Sequence, residues 1–159
     1  MVTKYEMKPV TRRDLMRLAG TGALAAVFAG VLPEIVRADA KSAAASIKKL
    51  LGDRQAKDGK VTLELPQIAE NGRTVPISFA VESPMTDKDH VKAVHILADG
   101  NPVPDVASYR FTSGAGKAEV STRIRLAKTQ NIITVAEMSD GSVYMAQAPI
   151  KVTIGGCGG

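Results

Sequence analysis

The stretch GGCGG at residues 155–159 holds the sole cysteine of the chain, with two glycines on each side. A thiolate is a strong nucleophile and a good sulfur acceptor. Glycine loses more conformational entropy on ordering than any other residue. Gly155, Gly156, Gly158 and Gly159 around Cys157 therefore predict a flexible arm. Five residues at about 3.3 Å each give it a reach of roughly 15 Å. Such a slim backbone also fits a narrow tunnel that side chains would block. The pattern is that of a swinging arm: a fixed domain, a flexible tether and a reactive atom near its tip. An unperturbed thiol has a pKa of about 8.5 and is only a few per cent ionised at neutral pH. No Lys, Arg or His adjoins Cys157 in sequence, so activation is expected from the enzyme that receives the arm. Two other readings compete. One is a binding module whose Cys157 forms a mixed disulfide with a receptor. The other is an exported chaperone or adaptor in which the cysteine is dispensable.

The remaining chemistry-bearing residues are sparse. His90 and His95 are the two histidines. With one thiol they lack the ligand spacing of a metal site, and they read as a loop residue and a satisfied strand residue. Spacing alone reveals no Ser-His-Asp order, phosphate loop or acid pair. No catalytic and no metal residues are assigned, and the sequence offers no obvious cofactor site. Apolar positions around Val94 and Ile96 suit either a partner interface or a core.

The N-terminal segment reads as an address and not as fold. Arg12 and Arg13 follow Thr11, a weakly apolar run rich in Ala and Gly covers residues 18–32, and Ala38 and Ala40 offer a cleavage site. This is the pattern of a twin-arginine signal peptide over residues 1–40. The run is too short and too glycine-rich for a good membrane span. Export by this route moves folded proteins, which points to a bound cofactor, fast folding or a partner assembled beforehand. With no obvious cofactor site a partner is preferred, and the expected destination is the periplasm, or the outer face in a Gram-positive cell. The chain carries a net charge of +5, and residues 1–40 hold six of its Lys and Arg and four of its Asp and Glu, leaving +3. The remaining charges are interspersed, without the basic stripe of a nucleic-acid binder. A single cysteine excludes an intrachain disulfide, even in an oxidising compartment.

The elements that must position the arm lie in residues 41–154. Residues 41–52 predict a short helix capped by Ser42 and stopped by Gly52. From residue 60 the period changes to two. Val61, Leu63 and Leu65, and then Val75, Ile77, Phe79 and Val81, alternate with polar residues on either side of the turn ENGR. Residues 91–98 are apolar on both faces and predict a central strand. Further strands are expected at 106–112, 118–126, 132–138, 142–148 and 150–154, with Asp140-Gly141 marking a hairpin. About eight short strands with turns roughly every 8–12 residues predict an all-β, immunoglobulin-like β-sandwich with a short N-terminal helix. The chain has no Trp and no cysteine pair, so an aliphatic core replaces the antibody-type hallmarks.

These segments resemble the SoxY family of thiosulfate-oxidising systems. The likeness runs through ENGRTVPISFAVESPMTDKDHV (residues 70–91), GKAEVSTRIRLAKTQNIITVAEMSDGSVYMA (116–146) and the closing VTIGGCGG, behind a twin-arginine leader. The resemblance implies a heterodimer with SoxZ, a smaller β-sandwich protein that travels out with its partner. It implies that Cys157 carries covalent sulfur intermediates. A c-type haem pair, SoxAX, would join thiosulfate to the thiol, SoxB, a dimanganese hydrolase, would release sulfate, and a sulfur dehydrogenase would oxidise the remaining sulfur. The metals belong to those partners, and the chain itself is expected to be a carrier and not an enzyme.

Overall fold

The computed structural model describes residues 34–156, with side chains from residue 41 onward. The chain divides into two units, Met1–Ile35 and Val36–Gly159, and nearly all described residues belong to the second. Arg12 and Arg13 lie outside the described residues. The first element is a helix, α1, over Glu34–Leu51. It begins ahead of the expected start at residue 41, because nothing from Glu34 onward breaks a run rich in good helix formers. Ser42 is thus inside the helix and does not cap it. Gly52 stops it as expected, with a φ of 59° and an N–H that donates to the Lys48 carbonyl at 2.9 Å.

Nine strands follow among the described residues: β1 (Ala56–Lys57), β2 (Val61–Glu64), β3 (Ile68–Asn71), β4 (Val75–Val81), β5 (Val91–Ala98), β6 (Asp105–Arg110), β7 (Ala118–Ile124), β8 (Gln130–Met138) and β9 (Val143–Ile154). They form the expected β-sandwich. The larger sheet has the order β1-β9-β8-β5-β6, with β3 also paired to β9, and the smaller has the order β2-β4-β7. Val75, Ile77, Phe79 and Val81 of β4 are all buried and face the larger sheet, which is what their alternation requires. β5 and β8 are buried on both faces for a different reason. Val94, Ile96, Ile132 and Met138 join the core between the sheets. Leu97, Ile133 and Val135 point the other way, where Ile47, Leu50 and Leu51 of α1 cover them. Val94 and Ile96 are fully buried, so of the two readings of these positions the core is the one realised. Each such aliphatic side chain contributes about 1.5–3 kcal/mol through removal from water.

β9 merges two strands that the sequence separates at Pro149. Residues 145–150 of β9 pair with β8 alone, since β1 takes only Val143 and Tyr144, and β3 takes Lys151, Val152 and Ile154. A proline without an N–H is tolerated where one strand edge has no partner. The β8–β9 register is set at the Asp140-Gly141 turn, where Gly141 has a φ of 85° and the Met138 N–H reaches the Ser142 carbonyl at 2.9 Å. The Asp140 carboxylate accepts from the Ser142 hydroxyl at 2.6 Å and from its N–H at 2.8 Å, which lowers its pKa below 3.8. A depressed carboxylate stabilises the fold above its ordinary pKa, and that contribution is lost as the pH falls through the folded value.

Thr134 is fully buried between Ile132 and Ala136 on the sandwich side of β8, and its hydroxyl has no hydrogen-bond partner. Burying an unsatisfied hydroxyl costs about 1–3 kcal/mol. Thr134→Val, which keeps the shape and removes the hydroxyl, is expected to raise stability by about 1 kcal/mol. An unchanged or lower urea midpoint would show that the hydroxyl has a partner.

Candidate functional site

Three segments meet where the chain leaves β9. One is the turn between β3 and β4, the second is the stretch just after β7, and the third is the end of β9 itself. The Asn71 side chain shapes the turn by accepting from the Arg73 N–H at 2.9 Å, a local bond that asparagine makes readily. Gly72 then donates its N–H to the Ile154 carbonyl at 2.7 Å. Leu126 donates to the Gly72 carbonyl at 2.7 Å, and Gly156 donates to the Leu126 carbonyl at 2.8 Å. These bonds clasp the root of the C-terminal segment onto the domain. Leu126 is fully buried, so its backbone is held from beneath by the core.

The clasp requires glycine for room. A Cβ on Gly72 would overlap the Leu126 carbonyl oxygen and lie 2.7 Å from the Gly156 nitrogen. A Cβ on Gly155 would overlap the Ala127 carbonyl oxygen, and one on Gly156 would overlap the backbone of Gly72 and Arg73. Gly155 is exposed and Gly156 half-buried. This differs from an arm that is loose from residue 155 onward. Gly156 is hydrogen-bonded, and both Gly155 and Gly156 lie against backbone on their way out of β9. Cys157, Gly158 and Gly159 lie outside the described residues.

A buried polar pair supports the middle segment. Asn101 and Gln130 are 7% and 6% exposed. Asn101 accepts from the Ala127 N–H at 2.9 Å and from Gln130 Nε2 at 3.0 Å, and its own Nδ2 donates to the Arg125 carbonyl at 2.9 Å. Gln130 accepts from the Gly100 N–H at 2.7 Å and donates to the Lys128 carbonyl at 3.0 Å. The pair ties residues 125–128 to the loop after β5, and so holds the surface on which Gly155 and Gly156 rest. Sequence reasoning missed Gly72, Leu126, Asn101 and Gln130. The turn signal in ENGR was visible, but nothing in it announced a partner 84 residues away at Gly156. The main chains of Arg73 and Arg125 also lie at this root, and both residues are exposed.

The two histidines do other work. His90 Nδ1 meets the Thr86 carbonyl at 3.1 Å in the loop before β5. His95 Nδ1 meets the Ser108 hydroxyl at 2.8 Å, and its Nε2 lies 3.5 Å from Glu137, which also pairs with Arg54 at 3.3 Å. Arg54 in turn donates to the carbonyls of Leu50 and Leu51 at the end of α1. This cross-strand cluster fastens the helix to the larger sheet. Among the described residues no group of three or more His, Cys, Asp or Glu is placed to hold a metal. Among the same residues no helix is long and apolar enough to cross a membrane.

Fold and site together define a small β-sandwich domain whose one cysteine stands three residues after the end of its last, clasped strand. A family model described as sulfur oxidation protein SoxY matches residues 47–157, a span that ends on Cys157. The solved structure of the sulfur carrier protein SoxY from Chlorobium limicola f thiosulfatophilum is 32% identical, with a TM-score of 0.60 over 72% of this chain and 99% of that one. The chain belongs to the SoxY family. The superoxide reductase (neelaredoxin) from Ignicoccus hospitalis shares the fold at 15% identity, with a TM-score of 0.52 over 59% of this chain and 80% of that one. The superoxide reductase from Nanoarchaeum equitans does so at 11% identity, with a TM-score of 0.52 over 61% and 99%. No curated protein sequence matches the chain.

The Asn101→Ala variant removes the acceptor of the Ala127 N–H and the donor to the Arg125 carbonyl. Leaving such buried groups unpaired is expected to cost about 1–3 kcal/mol in urea unfolding. A change below about 0.5 kcal/mol, the scatter of ordinary surface substitutions, would remove Asn101 from the support of the arm root.

Proposed function

We propose that the chain is a sulfur carrier of a thiosulfate-oxidising system, with Cys157 as the point of covalent attachment. The single observation that supports this most is a SoxY match whose span runs through the whole sandwich and ends on the chain's sole cysteine. The site chemistry is that of a handle. The thiol of Cys157 and the outer sulfur of thiosulfate lose two electrons and one proton to form a cysteine S-thiosulfonate, the electrons passing to a haem partner of the SoxAX type. Water then cleaves the sulfonate as sulfate on a hydrolase of the SoxB type, and a persulfide remains on Cys157. A sulfur dehydrogenase, where present, oxidises that sulfur. The domain binds its cargo covalently and presents it, and the redox and hydrolytic steps belong to the partners.

The physical reason for a carrier is retention. Anionic, reactive intermediates that visit several active sites are kept at high effective concentration by a covalent tether. Arg12 and Arg13 would direct export to the periplasm in the folded state, together with a SoxZ-like subunit. Cleavage would follow residue 40.

Cys157→Ser is expected to leave folding and pairing unchanged and to abolish thiosulfate-dependent turnover in a reconstituted system, and retained turnover would defeat the proposal. Intact-mass spectrometry of the native protein is expected to find sulfur or sulfonate on the C-terminal peptide. A partner-sized disulfide adduct would instead favour a mixed-disulfide module, and an unmodified thiol would favour an adaptor.

A further inference from the structure

We infer that Gly72, Leu126 and Gly156 form a positioning clasp that sets where the Cys157 thiol leaves the domain, and that opening the clasp lengthens the tether. The inference rests on the carrier reading for its purpose, and on the described backbone alone for its geometry. None of Gly72, Gly155 and Gly156 has a positive φ, in contrast to Gly52, Gly59, Gly116 and Gly141. Alanine would therefore meet no backbone strain at these three positions. It would meet only the neighbouring main chain, which at each of them lies well inside van der Waals contact of a Cβ. Glycine is needed at the arm root so that three backbones can touch.

The consequence is a tether with two lengths. With the clasp closed, freedom begins at the bond after Gly156. Covalent geometry then keeps the Cys157 sulfur within about 6–7 Å of the Gly156 Cα. With the Gly156–Leu126 hydrogen bond broken, the tether begins after Ile154 and gains two residues, about 7 Å. Opening is local. Gly155 is exposed and Gly156 half-buried, so water can replace the lost partner, whereas Gly72 and Leu126 are buried and keep their mutual bond. A closed clasp fixes the point on the surface from which the tether starts. An open one lets it enter a deep site.

The test uses the full-length chain with a nitroxide spin label on its sole cysteine. In the unmodified sequence the label is expected to show restricted motion, and the Gly156 amide is expected to exchange slowly with solvent. Gly72→Ala should sharpen the label's spectrum and speed exchange at Gly156 about tenfold, as for the loss of one hydrogen bond, while the amides of β8 keep their protection. A Gly-Ser insertion between Gly156 and Cys157 should free the label without changing exchange at Gly156. Should Gly72→Ala fail to fold, Gly156→Ala, placed after the last strand, carries the same expectation. A Gly156 amide that exchanges at the unprotected rate in the unmodified chain overturns the inference, as does a folded variant with unchanged exchange and label motion. Both readouts need no sulfur cargo. Their failure would leave the carrier proposal intact, and missing sulfur adducts would leave the clasp intact.

Discussion

Backbone N–H and C=O groups must find partners wherever water is kept out, and at the base of the C-terminal segment they find them in one another. Gly72, Leu126, Ile154 and Gly156 exchange three main-chain hydrogen bonds of 2.7–2.8 Å. That approach is possible only where no Cβ intervenes. The rest of the molecule can be understood as what brings these backbones together. Leu126 is pinned by the core, Gly72 is presented by the Asn71 turn, and Ile154 arrives at the end of a strand whose register begins at Asp140-Gly141.

The rigidity of β9 follows from its neighbours. It is paired along its first eight residues with β8, at its start with β1 and at its end with β3. β8 is in turn buried from both sides, by the smaller sheet and by α1. A terminal strand held this way gives the segment that follows it a fixed starting point. The Asn101–Gln130 pair serves the same end from the loop side, because it satisfies buried amides that would otherwise pull residues 125–128 toward water.

A carrier needs both a fixed base and a tip that can travel. Glycine has two distinct properties that suit these needs. At Gly155 and Gly156 its small size allows close packing. The conformational freedom expected of glycine belongs to the same residues once the clasp opens.

The sequence by itself determined the sandwich, most of its strands and the candidate nucleophile. Alternation in β4 and β7, the doubly apolar run of β5 and the Asp140-Gly141 turn are local signals, readable within a few residues. Only the tertiary structure decided the short parallel strands β1 and β3, the joining of β9 through Pro149, the burial of Asn101 with Gln130, and the role of Gly155 and Gly156. β1 has only two residues and β3 buries only Ala69, so neither carries a readable alternation, and a proline is permitted or forbidden by which strand edge is occupied. Whether a glycine provides freedom or room depends on what lies against it. At Gly156 that neighbour is Gly72, which no local pattern could bring into view.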